Sequence, residues 1–277
     1  VELYEDPFVD FSTARNRALE LAGDTCTFTI MLDDTYSIRG GKKMRKFLKK
    51  KEKCVREQGY YIIIEDSEKQ YPSIRVLRTT DKIRYKHKIH ENVVLERLGG
   101  TLPGSVYDNI SPYMSMRTSR RRESDIVYLR EEISQDPHDR RMRYHLASAI
   151  MFRDKEEALA QLNAIIACGN TDTLDYESRI MKVMSEPDMS KNIDEIQELV
   201  EKYPSESEPS YFMSLLKKRD GNYKEAYSWI IKASSITSEI AHTIQKHIGT
   251  YEIPYIFADL CIQLGKLDAA EKIIKTY

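Results

Sequence analysis

A helix-turn-helix pattern that recurs along the C-terminal half most strongly constrains how this chain can fold. The turn and the start of the following helix have similar sequences at Arg153–Ala158, Gly221–Ala226 and Gly265–Ala270. Ala158 and Ala226 are 68 residues apart, which is twice 34. A fixed period of about 20 to 50 residues is typical of chains in which helical hairpins stack on their neighbours. The spacing therefore predicts an α-solenoid of about three to four helical pairs.

The length of the period also indicates the kind of hairpin. About 34 residues is the period of tetratricopeptide repeats, in which a small alanine lets the second helix pack closely against the first. An apolar helix precedes each turn, and these helices contain Tyr144, Tyr211 and Tyr255. A degenerate repeat around residues 193–203 fills the gap between the first two copies. We therefore expect residues 119–277 to form a tetratricopeptide-like domain of helices alone.

Helices and strands alternate in the N-terminal part of the chain. Apolar positions recur at helical spacing in some segments, and short β-branched runs bounded by turn residues occur in others. This alternation predicts an α/β domain over residues 1–118. Its predicted elements are a helix over 13–22, a strand over 25–32, a very basic helix over 42–56, and strands over 60–64 and 74–78.

The two parts of the chain differ in charge. Residues 1–122 contain 24 Lys and Arg against 17 Asp and Glu, whereas the remainder contains 19 against 27. A basic domain suits anionic ligands such as nucleotide diphosphates and, on charge alone, nucleic acid. The basic helix over 42–56 lacks the interleaved aromatic residues that single-strand-binding proteins usually present. A solvated helix face is the simpler interpretation, and we predict no nucleic-acid partner.

Composition excludes several other classes of protein. The four cysteines lie far apart and form no Cys-x-x-Cys pair, which argues against a zinc clip or a dithiol redox site. No apolar run approaches the roughly 20 residues that a membrane-spanning helix needs. The first residues have neither the basic start nor the apolar core of a secretory signal. We therefore predict a cytoplasmic protein without a membrane span.

Two adjacent carboxylates, Asp33 and Asp34, follow the predicted strand over 25–32 and are themselves followed by Thr35. In open α/β sheets, ligands bind beyond the carboxyl ends of the strands, and carboxylates there can hold a metal or a phosphate-bearing cofactor. Asp, Thr and Ser are also good helix-capping residues, so a capping turn is the alternative interpretation.

Several short motifs occur in a fixed order along the chain. Together they resemble family 2 glycosyltransferases whose A-type catalytic domain is followed by tetratricopeptide-like repeats. The resemblance implies a partial A-type, Rossmann-like domain in front of the solenoid. The motifs are Asp10–Leu19, Met31–Thr35, Arg75–Arg78 and Ile89–Glu91, with Glu131–Pro137 and Glu252–Tyr255 in the helical half.

The resemblance implies a divalent metal, Mg²⁺ or Mn²⁺, bound by Asp33 together with Thr35 and His90. Such ions prefer oxygen ligands and often need only one or two carboxylates, because diphosphate oxygens and water complete the coordination shell. The family pattern is Asp-x-Asp, and Thr35 stands here at the position of the second Asp. Metal coordination would then depend mainly on Asp33.

The same resemblance assigns roles to five further residues. Arg15, Asn16 and Asp34 would lie near a nucleotide-sugar donor. Inverting enzymes of this kind use a carboxylate to deprotonate the acceptor hydroxyl, and Glu91 and Asp66 are the candidates for that role. Family members also begin with a strand and an Asp-containing loop, which we expect to be missing before Val1.

Two functions therefore remain open. In the first, the chain is a metal-assisted and inverting glycosyltransferase, or a fragment of one. It would transfer a sugar from a nucleotide-sugar donor to a glycan, lipid or protein acceptor, while the repeats bind a protein partner. The alternative is a non-catalytic tetratricopeptide-type scaffold that binds proteins and retains a remnant α/β domain.

Overall fold

The computed structural model describes residues 3–53, 56–66, 70–109, 112–236 and 248–276. The chain divides into two compact units, residues 1–138 and 139–277. A long helix, α3 (Pro112–Gln135), ends the first unit. The predicted domain boundary between residues 118 and 119 falls inside this helix, and it stays a prediction.

The first unit contains a five-stranded sheet and the helices α1 (Phe11–Ala22), α2 (Gly41–Lys51) and α3. The predicted basic helix over 42–56 corresponds to α2, and residues 54 and 55 of that prediction lie outside the described residues. The strands are β1 (Phe28–Ile30), β2 (Tyr36–Arg39), β3 (Gly59–Glu65), β4 (Gln70–Arg78) and β5 (Leu98–Asp108).

The order of the strands in the sheet is β1-β4-β3-β5-β2. Only β3 and β5 pair in parallel, with Ile64 opposite Val106, and the other three described pairs are antiparallel. A doubly wound Rossmann-like sheet is instead mostly parallel, with helices crossing between its strands. The predicted A-type, Rossmann-like domain is therefore wrong for the described strands. The sequence pattern indicated that helices and strands alternate, but it did not indicate whether neighbouring strands pair in parallel or antiparallel.

One face of the sheet packs against α2. Tyr60 and Ile62 on β3 and Val106 on β5 are buried together with Met44 of α2. The ring of Phe47 on α2 contacts that of Tyr60 edge-on, with 5.4 Å between ring centroids. Alternate residues of β3 are buried because successive side chains of a strand point to opposite faces. The Lys and Arg residues of α2 then remain on its other sides.

The described residues of the second unit form four helical hairpins in which each helix packs against the next. Within each hairpin we call the earlier helix the first helix and the later one the second helix. No described helix is both long enough and apolar enough to cross a membrane. The hairpins are α4 (Arg140–Ile150) with α5 (Lys155–Ile166), α6 (Thr173–Met184) with α7 (Ile193–Lys202), α8 (Glu208–Arg219) with α9 (Tyr223–Ser235), and α10 (Ile253–Gln263) with α11 (Leu267–Thr276).

Local sequence explains where the hairpin helices begin and why they pack closely. The Asp154 side chain accepts a hydrogen bond from the Glu157 N–H at 2.9 Å and so caps α5. Ala158, Ala226 and Ala270, the alanines of the recurring pattern, are all buried. A small side chain at this position allows the two helices of a hairpin to approach each other. The predicted tetratricopeptide-like helical repeat is thus confirmed.

Candidate functional site

The structure brings together three of the residues that the sequence singled out. Arg15 on α1 donates from Nη2 to Asp33 Oδ1 at 2.7 Å and from Nε to Glu91 Oε1. Asp33 follows β1, and Glu91 lies in the loop between β4 and β5. The side chains of Arg15 and Glu91 are mostly buried. Three segments that are distant in sequence are therefore joined through one guanidinium group.

A second arginine, Arg75 on β4, completes this cluster and was not predicted as a site residue. Its Nη2 lies 3.4 Å from Asp33 Oδ2 and donates to the Tyr36 hydroxyl at 3.2 Å. Arg75 lies between Ile74 and Val76 in an apolar strand, and its charge was the only signal that could have identified it. We call Arg15, Asp33, Arg75 and Glu91 the arginine cluster.

The arginine cluster explains why the prediction of Mg²⁺ or Mn²⁺ is wrong. The Asp33 carboxylate already pairs with two guanidinium groups, whose positive charges oppose a cation at the same place. Thr35 donates its hydroxyl to Asp108 Oδ1 at 2.6 Å. His90 is exposed and has a left-handed backbone, with φ 51°. Among the described residues, no group of three His, Cys, Asp or Glu side chains could hold a metal ion.

Asn16 acts as a link between α1 and the loop after β4. Its Oδ1 accepts from the Tyr85 N–H at 2.8 Å, and its Nδ2 donates to the Tyr85 carbonyl at 3.0 Å. Both backbone groups of Tyr85 are thus paired by one side chain. Asp34 is exposed, and Asp66 directly follows β3. The roles predicted for Asp34 and Asp66 stay predictions.

Burial and charge act against each other in the arginine cluster. Burial lowers the pKa of Arg15, but the carboxylates of Glu91 and Asp33 outweigh this effect and raise it. Burial also raises the pKa of Tyr85, while Arg15 and Arg75 act to lower it. Arg15 is therefore charged and Tyr85 neutral at neutral pH. The cluster contains two guanidinium groups and two carboxylates, so its positive and negative charges are equal in number. This composition is typical of ion pairs that stabilise a fold.

The second unit presents a different kind of surface at the ends of its first helices. Lys155, at the start of α5, donates to the Ser185 carbonyl just after α6 at 2.8 Å. Arg219, at the end of α8, pairs with Asp188 at 2.7 Å. Hydrogen bonds from Ser190 and Arg219 lower the pKa of Asp188 to about 2, so this carboxylate is ionised at neutral pH. These bonds join the turns of successive hairpins along one edge of the unit.

A row of exposed side chains follows the same edge, and we call it the turn row. Each member lies eight residues after a tyrosine of a first helix. Phe152 is 100% exposed, and Met184 is 44% exposed. The row comprises Phe152, Met184, Arg219 and Gln263, which follow Tyr144, Tyr176, Tyr211 and Tyr255 respectively.

A cleft of about 370 Å³ lies at the α8 and α10 end of the turn row. Lys218 of α8 and Asp259 of α10 pair across it at 2.7 Å. Leu215 and Tyr223 contribute apolar surface to the cleft, while Arg219 and Gln263 contribute polar groups. Most binding pockets combine apolar walls with a few polar groups that fix orientation. The cleft has both, next to the apolar part of the turn row.

Comparisons with known proteins give matches only among solved structures. No protein-family model matches the sequence, and no curated protein matches it. Among solved structures, a crystal structure of MamA is 16% identical, covers 60% of this chain and 92% of its own, and has a TM-score of 0.41. The apo quorum sensor NprR from B. thuringiensis is 14% identical, with coverages of 61% and 54% and a TM-score of 0.46. TTC0263, a thermophilic TPR protein of Thermus thermophilus, is 15% identical, with coverages of 58% and 84% and a TM-score of 0.38.

None of these matched structures is a glycosyltransferase. The resemblance to family 2 glycosyltransferases, and the transferase activity that it implied, are wrong. The mixed sheet and the paired state of Asp33 give the physical reasons. No finding supports a nucleotide-sugar donor or a glycan acceptor. Of the two functions that the sequence left open, the helical hairpins of residues 139–277 favour the alternative, a tetratricopeptide-type scaffold.

Proposed function

We propose that the chain is a non-catalytic scaffold whose helical unit binds a protein partner along the turn row. The observation that carries this proposal is the exposure of Phe152 and Met184 at equivalent positions of successive hairpins. A single exposed apolar residue is ordinary on a protein surface. Two at the same repeat position, joined by bonds between their turns, form a preformed apolar strip.

The energetics favour a partner that covers Phe152. Burying a phenyl side chain that was fully exposed contributes about 2 kcal/mol. A contribution of about 2 kcal/mol changes affinity by about thirtyfold. Aromatic side chains are also enriched among the few interface residues that dominate binding energy. Phe152 is therefore the residue whose loss should weaken binding most.

The cleft supplies the polar part of the same surface. Lys218 and Asp259 pair with each other and leave further hydrogen-bonding capacity toward a ligand. Arg219 is half-exposed and is held in place by Asp188. A rigidly held guanidinium group loses little conformational entropy when it binds. We expect a partner with apolar side chains opposite Phe152 and hydrogen-bonding groups opposite the cleft.

The experiment begins with photocrosslinking in the native cell. A benzophenone amino acid replaces Phe152, and the crosslinked protein is identified by mass spectrometry and then purified. Its affinity for the full chain is measured by calorimetry, beside Phe152→Asp and the control Ile231→Asp. Ile231 is 42% exposed on the second helix α9, away from the turn row, so its substitution introduces the same charge elsewhere.

The proposal predicts that Phe152→Asp weakens binding by at least about tenfold, whereas Ile231→Asp changes it by less than about twofold. Equal affinities of the wild-type chain and Phe152→Asp would contradict it. So would the failure of every crosslinked protein to bind the purified chain.

A further inference from the structure

The basic helix α2 presents only positive charge to solvent. No Asp or Glu occurs in its sequence, and six of its Lys and Arg side chains are exposed. Among the described residues, none of these six pairs with a carboxylate, whereas Arg15 and Arg39 of the same unit do. We call the six side chains the basic face. They are Lys42, Lys43, Arg45, Lys46, Lys49 and Lys50.

The basic face lies opposite the side of α2 that packs on the sheet. Met44 is 2% exposed, and Phe47 packs against the same core cluster. Successive residues of a helix are about 100° apart, so Lys46 and Lys49 project away from Met44. The apolar side chains of α2 are thus committed to the core, and a ligand of the basic face binds through charge.

The basic face lowers the stability of its own helix. Lys46 lies four residues after Lys42 and four before Lys50, and like charges at this spacing repel each other. Lys42 and Lys43 lie in the first turn, where the helix dipole disfavours cations, and the N-cap Gly40 has no side chain to compensate. A solvated face, which the sequence alone favoured, usually mixes both signs of charge. An anionic surface that covers the basic face would relieve this repulsion.

The residue types in α2 distinguish between kinds of polyanion. Five of the six cations are lysines, which are point charges and suit a layer of phosphates without fixed geometry. α2 has no Asn, Gln, Ser or Thr to read base edges, and its one aromatic residue, Phe47, contacts Tyr60 and so is not free to stack on bases. Clusters of about four to eight Lys and Arg residues on a helix are typical of proteins that bind anionic lipids.

An exposed isoleucine lies beside the start of α2. Ile38 is 46% exposed on β2, which is an edge strand of the described sheet. A Cβ added to Gly41 would lie 3.4 Å from Ile38 Cγ2, so this side chain adjoins the helix. The interfacial layer of a bilayer accepts both cations and aliphatic groups, whereas a nucleic-acid backbone offers no apolar partner. The combination favours a lipid surface.

We propose that the basic face binds a membrane surface that contains anionic phospholipids. The lysines contact headgroup phosphates, and Ile38 enters the interfacial layer beside them. The apolar side of α2 stays packed on the sheet, so α2 itself does not insert. This inference goes beyond the binding of a protein partner at the turn row and does not depend on it.

The test is cosedimentation of the full chain with vesicles at about 0.1 M salt. One set of vesicles contains phosphatidylcholine alone, and the other contains about 30% phosphatidylserine. Lys46→Gln with Lys49→Gln removes two charges from the basic face, and Ile38→Ser removes the apolar contact. The matched control is Lys82→Gln with Lys86→Gln, which removes two exposed charges from the loop after β4. This loop packs against a different core cluster from that of α2.

The proposal predicts that the chain binds the vesicles with phosphatidylserine and not those without it. The double variant at Lys46 and Lys49 should bind about twentyfold more weakly, because each lysine near an anionic surface contributes about fivefold. Ile38→Ser should weaken binding by about fivefold, and the control by less than about twofold. The double variant should melt no lower than the wild-type chain, because it removes repulsion within α2. Its lost affinity would then not come from lost structure.

Several results would overturn the proposal. These are a chain that binds neither set of vesicles or both equally, an Ile38→Ser variant with wild-type affinity, and equal losses in the double variant and the control. A DNA duplex that binds more tightly than the vesicles, and that the double variant no longer binds, would assign the basic face to nucleic acid. Self-association that the double variant abolishes would assign it to the acidic half of a second copy. Either assignment would also overturn the proposal.

Discussion

The hydrogen bond between Tyr176 and Glu208 gives the most quantitative prediction. Tyr176→Phe removes one hydroxyl and leaves the ring volume unchanged, so it creates no cavity. Glu208 is only 7% exposed and keeps a weak contact with its neighbour, the Ser207 hydroxyl, at 3.4 Å. A hydrogen bond to a charged group contributes about 1.5 to 3 kcal/mol. We expect Tyr176→Phe to lower the free energy of unfolding by about 2 kcal/mol.

The assay is urea unfolding followed by tryptophan fluorescence. Trp229 is the only tryptophan and lies in α9, so the signal reports on the helical unit. With a urea dependence of about 2 kcal/mol per molar, the transition midpoint should fall by about 1 M. Tyr255→Phe is the matched control, because it makes the same change at the equivalent but exposed position. Equal midpoints for the two variants would refute the role assigned to the buried hydrogen bond between Tyr176 and Glu208.

Three further predictions concern the pH dependence of the same tyrosine, the arginine cluster and Gly104. Burial raises the pKa of Tyr176 above its ordinary value of 10.0. The buried phenol stays protonated while the unfolded chain ionises, so its contribution to stability is complete below pH 10 and is lost as the pH rises further. As the pH rises from 8 to 10.5, the urea midpoint should therefore fall less in Tyr176→Phe than in the wild-type chain. Equal falls in the two proteins would contradict this prediction. Arg15→Ala should destabilise α1 by about 3 kcal/mol and so increase amide hydrogen exchange across it. Arg17→Ala, which removes only two half-exposed ion pairs, with Asp6 and Glu20, should cost less than about 0.5 kcal/mol. Equal hydrogen exchange across α1 in the Arg15→Ala and Arg17→Ala variants would contradict this prediction. Gly104→Ala should lower the melting temperature by at least about 5 °C. Gly104 has φ 110°, and an added Cβ would lie 2.6 Å from a backbone carbonyl oxygen. Gly100→Ala, with open space around the added Cβ, should leave the melting temperature unchanged.

The helical unit could be predicted from the sequence because its information is local. The 3.6-residue period and the recurring alanine each act within a single hairpin, and Ala158 and Ala226 are buried as expected. The helix predicted over 13–22 and the strand predicted after it rest on local patterns of the same kind, although α1 begins two residues earlier, at Phe11. The earlier start has a local cause, because Asp10, and not Ser12 or Thr13, caps α1 by accepting from the Thr13 N–H at 2.7 Å.

The sheet and its charged cluster depend on partners that are distant along the chain. β3 pairs in parallel with β5 and antiparallel with β4, and no local pattern distinguishes the two directions. Arg75 meets Asp33 only because β1 and β4 are neighbours. Because this strand pairing is not visible in the sequence, the residues around Asp33 resembled those around a metal ligand. A short run of matching residues could therefore indicate a site whose charges are in fact already paired.

The central claim is that a protein partner binds along the turn row of the helical unit. The most direct test is hydrogen-deuterium exchange of the full chain. It is measured with and without the partner protein that crosslinking at position 152 has identified. We predict slower exchange in the turns around Phe152, Ser185 and Arg219 and unchanged exchange in residues 1–138. Slower exchange confined to residues 1–138, with the turns of the hairpins unchanged, would contradict the account.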